Sequence, residues 1–331
     1  MTPALIMLGY AAVLGWLGAA PLARLTSSGV NARLGLTVWF VAMSSALGSA
    51  VVAVAFLVRT AVNGWPRFAG TICQSVTGGP CPPQLYRSAI FEASVAGASA
   101  LAVLTVLTLA WRYGRSVQGA RRRASEHAQA ARITGRRFPG TGIPPLSTAV
   151  VLETPQPAVY CVPGRPATIV LTTGALAVLD PPQLLAVLAH EHAHLAGRHH
   201  LLVTLGKATR AGFPGVPLFT RGSDEVARLA EMRADDAAVR RSGRPTLIAA
   251  LLAMGTGTAM PAAALRMPAA ALGASACAVA ARVQRLLDPP DRARLIRYGA
   301  ALAAVTLLLA LTSVTLTGYA APLATHALAL A

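Results

Sequence analysis

The sequence predicts a mainly α chain with a small β-sheet, in which four transmembrane helices carry one cytoplasmic domain between the third and the fourth. Three observations predict this. Four apolar runs, at 3–20, 34–58, 89–111 and 299–321, are each long enough to approach or exceed the roughly 18 residues that a bilayer crossing needs. Only 12% of the 331 residues are charged and the mean hydropathy is +0.55, whereas soluble domains carry about 25% charged residues. Between the third and fourth runs lies one stretch, Leu184–His200, whose histidine spacing belongs to a helix that holds a metal.

The net charge of +17 and pI near 11.4 would suit a nucleic-acid binder, but the pattern does not. Lys207 is the one lysine among many arginines, alanine is abundant, and no zinc-finger spacing, RNA-binding signature or basic heptad region occurs. Nucleic acid is excluded as a partner.

In chain order, residues 1–111 read as a three-span membrane region. No basic residue precedes the first run, Pro3–Ala20, so it reads as a retained span rather than a cleaved signal, although Ala19-Ala20-Pro21 offers small residues for cleavage. The second run, Leu34–Val58, carries no charge. A loop at 59–88 follows, with Cys73 and Cys81. The third run, Ala89–Trp111, holds Glu92 near its start. Residues 112–145 form a basic linker bearing Arg112, Arg115, Arg121, Arg122, Arg123, Arg132, Arg136 and Arg137. The positive-inside rule puts this burst in the cytoplasm, where it can touch anionic membrane lipids. Counting back, the N-terminus and the Cys73/Cys81 loop lie outside, in a setting that suits a disulfide between those two cysteines. Cys161 and Cys277 fall on the reducing side as free thiols.

Residues 146–290 form the single extramembrane domain. Val150–Glu153, Ala158–Val162 and Ala167–Thr172 read as strands, with a turn at Pro163–Pro166. Asp180 with Gln183 makes a capping box, and Pro181 suits the first helical position, so a helix starts there. Leu201–Leu205 extends it, and Gly212–Gly222 reads as a loop. Ser223–Ser242 is a second helix, with acids at its start, Arg240 and Arg241 near its end and Gly243 as its stop. Residues 245–287 are alanine-rich and helical in pieces. Residues 291–331 hold the fourth span and a short tail that ends outside.

The first of these helices contains His190-Glu191-His192-Ala193-His194, a match to H-E-x-x-H. Side chains four apart share one helix face, so His190 and His194 can both reach one ion. Glu191, rotated by about 100°, is placed to act as a general base without being a ligand. Catalytic zinc sites take three protein ligands. Glu231 on the second helix is the candidate third, and Asp235, one turn on, can accept from the far nitrogen of a ligand histidine. An ordinary wet helix face, with Glu231 paired to an arginine, is the competing interpretation of that pair.

H-E-x-x-H followed by E-x-x-x-D resembles the gluzincin integral-membrane zinc metallopeptidases: HtpX, the CaaX prenyl endopeptidases and the BlaR/MecR-type signal transducers. Three spans, a protease domain and a fourth span are most similar to the BlaR/MecR type, whereas HtpX-like proteins would place two spans on each side. The penicillin-binding sensor of that type is missing after the fourth span, since no Ser-x-x-Lys follows. The resemblance implies a multi-pass cell-membrane zinc endopeptidase with its domain in the cytoplasm, acting on a protein or peptide substrate such as a regulator. It implies Zn2+ on His190, His194 and Glu231, with Glu191 as the catalytic base. A quality-control protease of the HtpX kind and a non-catalytic adaptor are the alternatives. An extended substrate is expected along a free strand edge at Thr168, Ile169, Val170, Leu171 and Thr172. His192, His199 and His200 are expected to be exposed or supporting residues, with His199 and Arg233 the weak candidates for stabilising an oxyanion.

Overall fold

The fold was examined in a computed structural model, which describes residues 2–77, 89–138, 149–164, 166–256 and 274–326. The chain opens with α1 (Thr2–Leu17) and α2 (Ala19–Thr26), bent by 49° at Gly18. Pro21 causes the bend: it lacks the N–H and its ring opposes the carbonyl four residues back, at Leu17. Next come α3 (Ala32–Thr77) and α4 (Ala89–Thr134). A small sheet follows, from β1 (Arg136–Arg137), β2 (Ala149–Leu152), β3 (Val159–Val162) and β4 (Thr168–Thr172). The remaining helices are α5 (Thr173–Val178), α6 (Pro181–Ala196), α7 (His199–Gly212), α8 (Pro217–Ser242), α9 (Arg244–Thr256), α10 (Ala274–Leu287) and α11 (Arg292–His326).

The architecture is therefore mostly helical with a small mixed sheet, as the sequence predicts. Among the described residues, two helices are long and apolar enough to cross a membrane, at Ala32–Val58 and Arg292–Thr315, and the bent α1–α2 pair makes a third if it is one span. The third predicted run starts α4, and most of its side chains, Glu92 included, lie outside the described residues. The expected loop at 59–88 is corrected: α3 runs on to Thr77, because each further helical bond outweighs the Gly64 and Pro66 interruptions. Cys73 lies in that helix and Cys81 outside the described residues, as do residues 139–145. The basic stretch after Trp111 is helical to Thr134. Its Ala124, Ala128 and Ala131 pack on Val150, Val162 and Val170 of the sheet.

The expected loop Gly212–Gly222 is also corrected. Pro217 at the first turn starts α8 six residues early, leaving a short connection at 213–216. The reason lies in packing. Leu218, Phe219, Val226 and Leu229 of α8 share one core with Leu36, Trp39 and Met43 of α3 and Leu302 and Leu309 of α11. Gly222 faces the fully buried Trp39, and a Cβ there would stand 3.1 Å from the indole and 3.2 Å from the Met43 sulfur. Gly35 receives Leu229 in the same way. Small residues at these crossings let the backbones approach closely. Polar contacts tie the same surface. Arg228 donates to the carbonyls of Thr26 and Ser27 at 2.8 and 3.1 Å, which caps α2, and pairs with Glu225 at 2.6 Å.

The strand order is β1-β2-β4-β3, with β2 and β4 parallel and both outer pairs antiparallel. All five residues of β4 are buried. Helix α6 lies under the sheet, with Leu188, Leu184 and Leu195 against Val151, Ile169 and Leu171. Its Ala186 meets Ala238 of α8.

Overpacking a helix crossing costs about 1–3 kcal/mol. Gly222→Val is accordingly expected to lower the thermal midpoint of the detergent-solubilised protein. Gly212→Ala, at a site with nothing within 4 Å, is expected to leave it unchanged. Unfolding followed by circular dichroism compares the two.

Candidate metal centre

Helix α6 begins as its sequence dictates. The Asp180 carboxylate accepts from the Gln183 N–H at 2.8 Å, the Gln183 side chain accepts from the Asp180 N–H at 3.3 Å, and Pro181 occupies the first turn. The helix ends at Gly197, and Arg198 turns the chain into α7 with a left-handed φ of 48°. The leucine face on the sheet and the alanine face on α8 together fix the rotation of α6. That rotation points His190 and His194 across at α8.

Three ligand atoms converge there. His190 Nε2 and His194 Nε2 lie 3.0 Å apart, and the two oxygens of Glu231 lie 3.4 Å from one and 3.4 Å from the other. Atoms bound at about 2.1 Å to a tetrahedral ion stand about 3.4 Å apart. The cluster therefore fits a zinc-sized divalent ion with two imidazoles and one carboxylate. The competing role for Glu231, pairing with an arginine on a wet face, is also partly realised, since Arg282 reaches it at 3.4 Å.

Each imidazole has a partner on its far side. His190 Nδ1 lies 3.0 Å from Asp235, which is wholly buried. Asp235 is in turn held by both nitrogens of Arg282 on α10, Nε at 2.8 Å. His194 Nδ1 lies 3.0 Å from Nδ1 of the buried His199. Burial by itself would lower the His190 pKa, but the hydrogen bonds to Asp235 and Glu231 win and raise it to about 9. Burial would raise Glu231; its bonds to the two histidines hold it well below the carboxylate range instead. His199 is pushed down to about 4, first by burial and then by the neighbouring His194 and Arg233.

Glu191 stands apart from this cluster. Its carboxylate accepts a hydrogen bond at 2.8 Å from the backbone N–H of Cys161 on β3. Burial and then the Glu191 charge push the Cys161 thiol far up, so it stays protonated and is no nucleophile.

Two expectations need correction. Thr168–Thr172 is an inner strand, hydrogen-bonded to β2 on one side and β3 on the other, so it offers no edge to a peptide. The strand beside Glu191 with a free edge is β3, where Val159 and Cys161 turn their backbone groups outward. His199 lies behind His194, away from the converging ligand atoms, and with Arg233 lines a separate cleft. Neither faces the His190–His194–Glu231 cluster, where the oxyanion of a cleavage reaction would form. Sequence reasoning missed Arg282. The signal was the adjacent pair Asp235 and Asp236, since a carboxylate taken out of water needs a cation, and Arg282 and Arg285 on α10 supply one each.

Comparison with known proteins agrees with this geometry. The profile described as Peptidase family M48 matches residues 120–287. A protein described as protease HtpX homolog, from Acidiphilium cryptum (strain JF-5), is 38% identical over 90 residues, which is 25% of this chain and 31% of that relative. The chain thus spans about a third of the length of that relative. No solved structure matches.

The raised His190 pKa sets how metal binding follows pH. The metal-free protein holds a proton on His190 below about pH 9, and a ligand imidazole must be neutral, so binding expels that proton. Zinc affinity is expected to rise about tenfold per pH unit from 7 to 9 and to level off above. Asp235→Asn removes the anion that raises the pKa, so its slope should flatten. Competition with a chelator across this range checks both.

Proposed function

Since this chain belongs to peptidase family M48, we propose that it is an integral-membrane zinc endopeptidase that cleaves a cytoplasmic or juxtamembrane protein, a regulator being the substrate class. The observation that carries this reading is the convergence of His190, His194 and Glu231 from two helices, with Glu191 beside but outside the cluster. Zinc held there supplies Lewis acidity toward a peptide carbonyl and lowers the pKa of a water to about 7.

The chain does the rest. His190, His194 and Glu231 hold the ion in one place. Asp235 and Arg282 fix the ring of His190, and with it the tautomer that leaves Nε2 free to ligate. An extended peptide adds along the outer edge of β3, where the outward backbone groups of Val159 and the outward carbonyl of Cys161 pair with it. That edge runs past Glu191. The Cys161 N–H holds the Glu191 carboxylate at the join between strand and ligand cluster, where it takes a proton from the attacking water and passes it to the leaving amine.

Of the topologies available to the family, we favour the BlaR/MecR type: three spans before the domain, one after, and the domain in the cytoplasm. The arginines from 112 to 137 support that side. The likeness to a relative described as an HtpX homolog favours a second reading with the same chemistry, in which damaged membrane proteins are the substrates.

Two measurements test these readings. Glu191→Gln leaves the ligand set intact and is expected to retain zinc while losing about 100- to 10,000-fold in peptide cleavage. A variant that binds zinc and cleaves at the normal rate would remove Glu191 from this role. A reporter inserted at residue 70 is expected on the extracytoplasmic face, and a cytoplasmic signal would overturn the three-span arrangement.

A further inference from the structure

Helices α6 and α8 diverge on the flank away from Glu191 and Glu231, leaving a cleft of about 460 Å³. Its charged and polar walls are His192, Arg233, Arg240 and Arg241, and its inner end is Gly197 and His199; alanine side chains complete it. Among the described residues no carboxylate lines it. Among the described residues none of the three guanidiniums forms a salt bridge. Arg240 does sense Asp236 at longer range, but Arg285 already pairs with that acid at 2.8 Å.

The inner end holds a second, independent feature. When His194 presents Nε2 to the ligand cluster, its proton sits on Nδ1 and is donated to His199 Nδ1, 3.0 Å away. His199 then carries its own proton on Nε2. That nitrogen is buried and has no hydrogen-bond partner, in a residue only 1% exposed. An orphaned N–H of this kind is costly to keep. Gly197 covers it without a side chain, and a Cβ at that position would overlap it. Both residues line the cleft, so a bare glycine is all that separates the buried nitrogen from it.

We infer that this cleft binds a phosphate-type oxyanion, which accepts the His199 Nε2 proton and is held by Arg233 with Arg240 or Arg241. Guanidinium forks and an imidazole N–H around one concavity match the several acceptor oxygens of such an anion. Occupancy has a consequence for the metal site. An anion on His199 strengthens the hydrogen bond from His194 Nδ1, as carboxylate partners of ligand histidines do, and makes His194 the better ligand. The anion can come from free phosphate or from a lipid headgroup. Neither source depends on the proteolytic reading.

Inorganic phosphate titrated calorimetrically into the full-length protein in detergent tests this at constant ionic strength. One saturable site is expected in the wild type, weakened about tenfold or more by Arg233→Gln combined with Arg240→Gln. Both arginines face the cleft rather than the core, and an unchanged thermal midpoint will show that the variant is folded. In parallel, chelator competition should find zinc held about tenfold more tightly with phosphate than without, an increment lost in the same variant. Absence of a saturable site, or binding that survives the substitutions, overturns the proposal. In lipid nanodiscs, loss of phosphate binding when phosphatidylglycerol replaces part of the phosphatidylcholine assigns the site to a headgroup. Retention assigns it to the free ion, and either result supports the site.

Discussion

Helix α8 must satisfy two surfaces at once, and the metal centre depends on that. One stripe of it, from Leu218 to Leu229, is packed into α3 and α11. The next turns bring Glu231 and Asp235 to α6. Three donor atoms have to meet within bonding distance of one point, so an error of an ångström in the height or rotation of α8 would leave two histidines without their third partner. Small residues supply the tolerance. Gly222 lies against Trp39, Gly35 against Leu229 and Ala186 against Ala238, so each helix pair approaches to backbone distance and has little freedom to slide.

The electrostatics of the centre is arranged in layers. Asp235 is wholly buried, a placement that would be costly for an isolated carboxylate and that is offset by a two-point contact with Arg282 and a bond to His190. The second aspartate, Asp236, meets Arg285, which also donates to the carbonyl of Gly29 in the turn before α3. The alanine-rich α10 thus delivers two guanidiniums to two neighbouring carboxylates, and it reaches the N-terminal turn as well. The two ligand histidines are backed unequally. An anion stands behind His190, whereas a neutral imidazole stands behind His194.

Much of this was legible because it is local. The Asp180–Gln183 capping box, Pro181, the i, i+4 histidines and the Gly243 stop are each written within a turn or two of chain, and local chemistry decides them. Glu231 and Asp235 were reachable because their spacing repeats a face of one helix. The errors have a common cause. Gly212, Pro214, Gly215, Pro217 and Gly222 look like loop residues and point to a start at Ser223, yet the helix begins at Pro217 and Gly222 lies within it, set closely against Trp39 of a distant helix. Nothing in the residues of β4 tells which neighbours it has, so its place inside the sheet is not legible from them. Arg282 was invisible for the same reason: its partner lies 47 residues away.

That long-range dependence bears on where the functional unit ends. The family match begins at residue 120, and a boundary there or at 146 would suit a separately folded domain. The packing argues otherwise. Without α1–α3 and α11, the buried faces of Leu218, Phe219, Val226 and Leu229 lose their cover, and Arg228 and Arg285 lose the carbonyls of residues 26, 27 and 29 that they cap. The side chain of Met232, one residue from the ligand Glu231, belongs to that same core and lies against Gly29, whose φ of +60° only glycine adopts without strain. Helices α1–α3 and α11 therefore form the wall against which Glu231, the third member of the cluster, is set.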